Sequence, residues 1–388
     1  MNLTLTEQQK GEQASFRTFV ETEIIPYANQ YDRDEYTPPN LIKKLAQNKY
    51  LGAMLPTEIG GGGMDAISYG LLNEEIGRGC SSLRSLITVH NMVAHALVKW
   101  GSKMQQEYWL PQLAVGEVTA AFALSEPNVG SDAKSIETTA TLVGDAYILN
   151  GNKKWITYGQ IADIFLVFAL FQNKPSAFLL EKNTPGLTIK PISGMLGVKA
   201  SMLAQMHLDN CCIPQKNLVC RHGFGFSHVA SSALDWGRYS VAWGCVGITQ
   251  ACLEACLQYT SQRKQFDVYL KDHQLIRQLI TQTIVNVKAA RLLCYRAGYL
   301  KVTSDPISIM ETAIAKYFAS TIATKVANDA VQIHGANGCS CDYSVQRYLR
   351  DAKIMEIIEG STQIQELTIA EYGYQEYKIP EAISFLNN

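Results

Sequence analysis

The sequence predicts an α+β chain built as a helical block, then a small all-β block, then a helical bundle. Three observations predict it. Apolar residues recur at helical spacing from about Thr6 to Leu113. Short apolar runs broken by Gly and Pro follow from Val118 to Leu208. Four long amphipathic stretches then occupy most of the chain after Phe226.

In the first block, Phe16, Phe19, Val20 and Ile24 share one helical face, and so do Leu41, Leu45, Tyr50 and Leu51. The four glycines from Gly60 to Gly63 interrupt the pattern. Helical periodicity resumes over Ala66–Gly77 and Ser85–Trp100. Strand-like runs begin at Val118–Leu124. Ala146–Leu149 and Lys154–Thr157 flank Asn150-Gly151, a pair that reads as a hairpin turn. Ile164–Phe171, Ala177–Leu180, Leu187–Ile189 and Met202–Leu208 continue the strands. The amphipathic stretches of the last block are Ser240–Gln262, His273–Thr303, Ser308–Ile333 and Ser361–Tyr372. The expected domains are 1–117, 118–225 and 226–388.

The bulk composition excludes several classes. With 388 residues and 47% hydrophobic content, the chain can bury two or three cores. Lys plus Arg total 34 and Asp plus Glu 35, so no broad field draws nucleic acid or an anionic membrane. The run Ile164–Phe171 is too short to span a bilayer, and no signal core opens the N-terminus. Ten cysteines in so long a chain do not make a disulfide framework. Cys245, Cys252 and Cys256 read as packed thiols on one helical face, Cys339 and Cys341 lack a second pair at zinc spacing, and no metal is expected. A cytoplasmic setting follows from that cysteine usage.

Several segments can carry chemistry. AAFALSEPNVGSD, from Ala120 to Asp132, ends a strand in hydroxyls and free backbone N–H groups, or is simply a Pro-Gly turn. Trp155 and Thr157 lie two apart, on one strand face, where they could flank a flat ring or pack as core. Glu356 and Glu359 would be neighbours if IMEIIEGS is helical, and their apolar surroundings would raise a carboxylate pKa toward that of a carbon-acid base. The alternative is an ordinary ion pair with Arg350 or Lys353. Arg84 stands alone in an uncharged stretch and can bind an anion bidentately or cap a helix. His334 in QIHGANG reads as a satisfied structural histidine.

Taken together, these segments resemble the acyl-CoA dehydrogenase family over essentially the whole chain. FALSEPNVGSD, KWIT, RKQF at Arg263–Phe266, QIHGANG and RDAKIMEIIEGSTQIQ occur in the family's order. The resemblance implies an N-terminal helical domain, a middle β-barrel domain and a C-terminal four-helix bundle, with FAD as cofactor. Phe122, Leu124, Ser125, Trp155 and Thr157 would line the isoalloxazine, with Ser131 beside both flavin and thioester. Arg263, Phe266, Gln274, Gln332 and Gly335 would hold the nucleotide end of FAD across a subunit interface, in a homodimer or homotetramer. Ser361 and Gln363 would also touch FAD. Glu359 matches the catalytic base, and Arg84, Arg238 and Gly360 would meet substrate. The other place the family uses for a base precedes Arg238 and is Gly237 here. Asp267, Ala336 and Gln363 depart from the usual pattern.

Two branches look nearest. In glutaryl-CoA dehydrogenases, an arginine matching Arg84 grips the distal carboxylate. The acyl-ACP dehydrogenases of hydroxymalonyl-, methoxymalonyl- or aminomalonyl-ACP polyketide extender units resemble this chain in CSSLRS, GRYSVAWGCVGI and DHQL. The second is the preferred expectation: oxidation of a three-carbon hydroxy- or aminoacyl-ACP, in antibiotic biosynthesis. The alternative is α,β-dehydrogenation of a short-chain or glutaryl-type CoA thioester. In either case electrons pass to an acceptor such as an electron-transfer flavoprotein. A non-catalytic scaffold and a flavin oxidase are the rivals from other classes.

Overall fold

The computed structural model describes residues 4–377. Six helices open the chain: α1 Glu7–Phe19, α2 Ala28–Asp34, α3 Pro39–Gln47, α4 Ala66–Gly79, α5 Ser81–Trp100 and α6 Lys103–Ala114. Their starts are written into the sequence. Thr6 with Gln9 and Ser102 with Gln105 form reciprocal capping boxes, and Pro39 opens α3.

The strands follow: β1 Ala120–Ala123, β2 Thr139–Val143, β3 Ala146–Ile156, β4 Ile164–Phe171, β5 Lys174–Glu181, β6 Leu187–Pro191, β7 Ala204–Pro214 and β8 Leu218–Val219. They form one mixed eight-stranded sheet, ordered β6-β7-β3-β2-β4-β5-β8, with β1 parallel to β4. Strand β4 is apolar on both faces because both are covered. Ile164, Leu166 and Phe168 join a core shared with helices α5 and α6, while Phe165, Val167 and Ala169 join the core of the sheet itself.

The helical bundle comprises α7 Ser231–Gln262, α8 Gln274–Val302, α9 Ser308–His334, α10 Val345–Ile357 and α11 Thr362–Glu376, with a small hairpin of β9 Lys264–Gln265 and β10 Val268–Tyr269 after α7. Helix α7 is central, packed against α4, α5, α8 and α9. The segment Gly225–Gln262, which contains α7, is long and apolar enough to cross a bilayer by length and composition, yet its most apolar window is 72% buried in the fold. Its apolarity serves the core.

Two local expectations need correction. Asn150-Gly151 does not turn the chain; β3 runs straight through it. The turn lies earlier, at Gly144 and Asp145, where Gly144 takes φ 60°. Opposite Asn150, β7 carries a bulge at Asp209 and Asn210 (φ 50° at Asn210), so the Asn-Gly signal marks a register shift instead of a reversal. The segment holding Glu356 and Glu359 is not one helix either. Helix α10 stops at Ile357, Ile358 is extended and Glu359 is left-handed, so the two carboxylates part. Glu356 pairs with Lys353 at 2.5 Å, and Arg350 pairs with Asp32.

Candidate active site

The three blocks meet around a cleft of about 620 Å³. From the β block, Phe122, Leu124 and Ser125 reach it from the end of β1, Ser131 from the following turn, and Trp155 and Thr157 from the end of β3. The helices add Arg84 on α5 and Arg238 on α7. Glu359, Gly360 and Ser361 come from the turn between α10 and α11.

Trp155 reaches the cleft through a bulge. The β3–β7 register slips between Lys153 and Ile156, and Trp155 sits at φ 64°. A bulky residue in that region is strained and persists where its surroundings over-determine it. The indole stays 46% exposed, with the Lys154 ammonium 4.5 Å from its centroid. Beneath this edge lies an ion pair that sequence reasoning missed. Lys153 Nζ donates to Glu126 Oε1 at 2.7 Å and to the Leu124 carbonyl at 3.2 Å, and both side chains are sealed from solvent. Glu126 also accepts the backbone N–H groups of Glu137 and Thr138. Burial raises its pKa, but Lys153 and these donors outweigh that and leave it lowered.

The Glu359 turn is held by its carbonyls. Arg238 Nε and Gln365 Nε2 each donate to the Glu359 carbonyl at 3.2 Å. Lys316 Nζ and Gln365 Nε2 donate to the Gly360 carbonyl at 2.7 and 3.2 Å. Glu359 takes φ 56° and Gly360 φ 90°, after which Ser361 caps α11. Burial pushes the Glu359 pKa up, opposed by Arg238, Arg84 and Lys316. Its Oε2 is buried without a hydrogen-bond partner among the described residues. Such an orphan costs free energy, and a catalytic role is one of the reasons a fold retains it.

Gly237 makes room for that carboxylate. A Cβ there would stand 2.5 Å from Glu359 Oε2 and 2.8 Å from Met92 Sδ. Gly237→Ala is expected to push the carboxylate aside and lower kcat about 10²-fold, with FAD content unchanged. Steady-state turnover beside the flavin absorbance of the purified variant checks this.

Arg84 is a buried cation held by neutral groups. It is 1% exposed and donates to Thr88 Oγ1 at 2.8 Å, Ser85 Oγ at 3.0 Å and Ser240 Oγ at 3.3 Å. Its Nε has no partner among the described residues, and burial lowers its pKa. Gly244 on α7 leaves space for its stem, because a Cβ there would overlap Arg84 Cδ.

The remaining predicted residues do not reach the cleft. Arg263, Gln274, Gln332, Gly335 and Gln363 are exposed on the bundle, and Phe266 is 90% exposed at φ 54°. His334 is structural: Nδ1 meets the Ala330 carbonyl at 2.8 Å, and the ring stacks on Tyr259. Cys245, Cys252 and Cys256 are buried, and all ten cysteines are free. Among the described residues, no three His, Cys, Asp or Glu side chains converge as metal ligands.

The donor set suits a flat heteroaromatic cofactor next to an acidic carbon. An open indole face, hydroxyls at Ser125, Ser131 and Thr157, and an unpartnered carboxylate all share one cleft. Family models describe the same parts: "Acyl-CoA dehydrogenase, N-terminal domain" over residues 6–117, "middle domain" over 121–211 and "C-terminal domain" over 223–373. The short-chain specific acyl-CoA dehydrogenase of Rattus norvegicus mitochondria is 37% identical, covering 97% of this chain and 92% of its own. The chain belongs to the acyl-CoA dehydrogenase family. It is an FAD-dependent oxidoreductase acting on acyl thioesters.

Two solved structures are also similar to it. A glutaryl-coenzyme A dehydrogenase in complex with glutaryl-CoA superposes with TM-score 0.92 at 33% identity, covering 97% of each chain. FkbI, described as acting in biosynthesis of the methoxymalonyl extender unit of the polyketide Fk520, superposes with TM-score 0.86 at 30% identity, covering 95% of this chain and 100% of its own.

Proposed function

We propose that this dehydrogenase removes the α-proton and β-hydride of a short acyl thioester, with Glu359 as the base and Arg84 at the far end of the acyl group. The observation that carries this reading is the convergence on one cleft of a carboxylate and a guanidinium that, among the described residues, have no hydrogen-bond partner and no carboxylate partner respectively. When bound, FAD supplies acceptance of the hydride. Phe122, Leu124, Ser125, Trp155 and Thr157 would line its ring, Ser361 would also touch it, and Ser131 would lie beside both ring and thioester. Arg238 and Gly360 shape the place of the thioester. The Glu359 N–H has no acceptor among the described residues and would be free to donate to the developing enolate oxygen. The exposed positions Arg263, Phe266, Gln274, Gln332, Gly335 and Gln363 fit a nucleotide site completed by a second copy of the chain.

The similarity to short-chain and glutaryl-type enzymes favours a CoA thioester over the expected acyl-ACP. The physical reason to prefer an anionic or polar far end is Arg84. A buried cation satisfied only by hydroxyls and a thioether attracts an anion that completes its hydrogen bonds. Arg84→Met is expected to lower kcat/KM for glutaryl-CoA about 10- to 100-fold relative to butyryl-CoA. Steady-state assays of the FAD-loaded enzyme with an artificial electron acceptor decide; equal losses on both substrates would remove Arg84 from acyl recognition.

The likeness to FkbI keeps a second reading, in which a short hydroxyacyl group arrives on a carrier protein. The same assay with hydroxyacyl-ACP separates the two, because the preferred carrier gives the higher kcat/KM. Oxygen consumption by the reduced enzyme distinguishes an oxidase.

A further inference from the structure

We propose that Lys316 is a positioning residue that clamps the Glu359 turn from behind, an inference that rests on Glu359 being the base. Lys316 lies on α9, fully buried, and forms no ion pair among the described residues. Both of its acceptors are peptide carbonyls, Gly360 at 2.7 Å and Glu356 at 3.4 Å. These two carbonyls bracket Glu359. The Glu356 carbonyl belongs to the last turn of α10, where a cation also meets the negative end of the helix dipole. Thr362 Oγ1 shares it.

The clamp explains two features of the base. A non-glycine residue at φ 56° needs outside support; Lys316 supplies it through the Glu356 and Gly360 carbonyls, and Arg238 and Gln365 through the Glu359 carbonyl itself. With those carbonyls held, the Glu359 carboxylate is left at the cleft and its N–H has no acceptor among the described residues. The charge on Lys316 then acts on the carboxylate. Glu359 faces Tyr69 from α4, Arg84 from α5, Arg238 from α7 and Lys316 from α9; Lys316 itself also faces Glu356 of α10 and Cys245 and Arg238 of α7. A nearby cation favours the ionised carboxylate, so its loss moves the base toward the protonated form.

The test uses the FAD-loaded full chain with glutaryl-CoA or butyryl-CoA, whichever turns over faster, and the same substrate deuterated at the α-carbon. Lys316→Met is expected to lower kcat about tenfold or more, to move the acidic limb of kcat/KM to higher pH and to enlarge the deuterium effect, with FAD content unchanged. Lys316→Arg is expected to restore the pH limb. A Lys316→Met enzyme with native kcat and pH profile overturns the proposal. If that variant does not fold, Lys316→Gln, which keeps a donor and drops the charge, replaces it, and an unchanged acidic limb there is equally fatal. An active Glu359→Gln enzyme would remove the base assignment itself, a different failure.

Discussion

Glu359→Gln is expected to lower turnover about 10²- to 10⁴-fold, the usual contribution of a positioned base. The amide keeps the volume of the carboxylate but cannot take a proton. The turn itself should survive, because Arg238, Gln365 and Lys316 grip the backbone carbonyls of Glu359 and Gly360, not the side chain. Burial disfavours the charged form at this position, so a neutral amide does not cost stability on that account. FAD content and melting temperature should therefore match the parent protein while kcat collapses. The same burial fixes the sign of the pH dependence. The base works only when ionised, so kcat/KM falls as pH falls through a pKa raised above the ordinary glutamate range. A variant with near-native turnover would show that some other group takes the proton.

The parts of this fold that were legible in the sequence are those with a clean period. The stretches read at Ser240–Gln262, His273–Thr303 and Ser308–Ile333 correspond closely to α7, α8 and α9, because each buries a continuous apolar face. Arg84 stood out by isolation, a lone charge in an apolar helix, and it is buried as that pattern implies. Glu359 was found with the wrong local geometry. A helical reading put it beside Glu356, whereas its left-handed backbone turns it away from Glu356. No periodicity signals a single residue at positive φ; the only hint was Gly360 after it.

Lys153 shows how one error hides another. Alternation along β3 places Tyr147, Leu149 and Lys153 on the same inward face. Treating Asn150-Gly151 as a turn broke that parity, so the buried lysine escaped notice. Lys316, in the Ala-rich run AIAKYFAS, carried the same signal as Arg84 and was overlooked. The exposed positions Arg263, Phe266, Gln274, Gln332 and Gly335 came from resemblance alone. They are exposed on a single chain, so neither pattern nor packing within it assigns them.

The Glu126–Lys153 pair carries the second large effect. It joins the loop after β1 to β3, the two segments that bring Ser125 and Trp155 to the cleft. Lys153→Met leaves Glu126 buried with only the backbone donors of Glu137 and Thr138. Removing one member of a buried pair costs about 3–5 kcal/mol, because the remaining charge has lost its counterion. The same change removes the hydrogen bond to the Leu124 carbonyl. Stability and FAD retention should thus fall together, seen as a lower denaturant midpoint and loss of flavin on gel filtration. The double variant Glu126→Leu/Lys153→Met removes both charges, so it should recover most of the lost stability. It should not recover flavin retention to the same degree, because the Leu124 carbonyl remains without its donor. If the double variant were no more stable than Lys153→Met, the cost would lie in packing around β3 and not in an unpaired carboxylate.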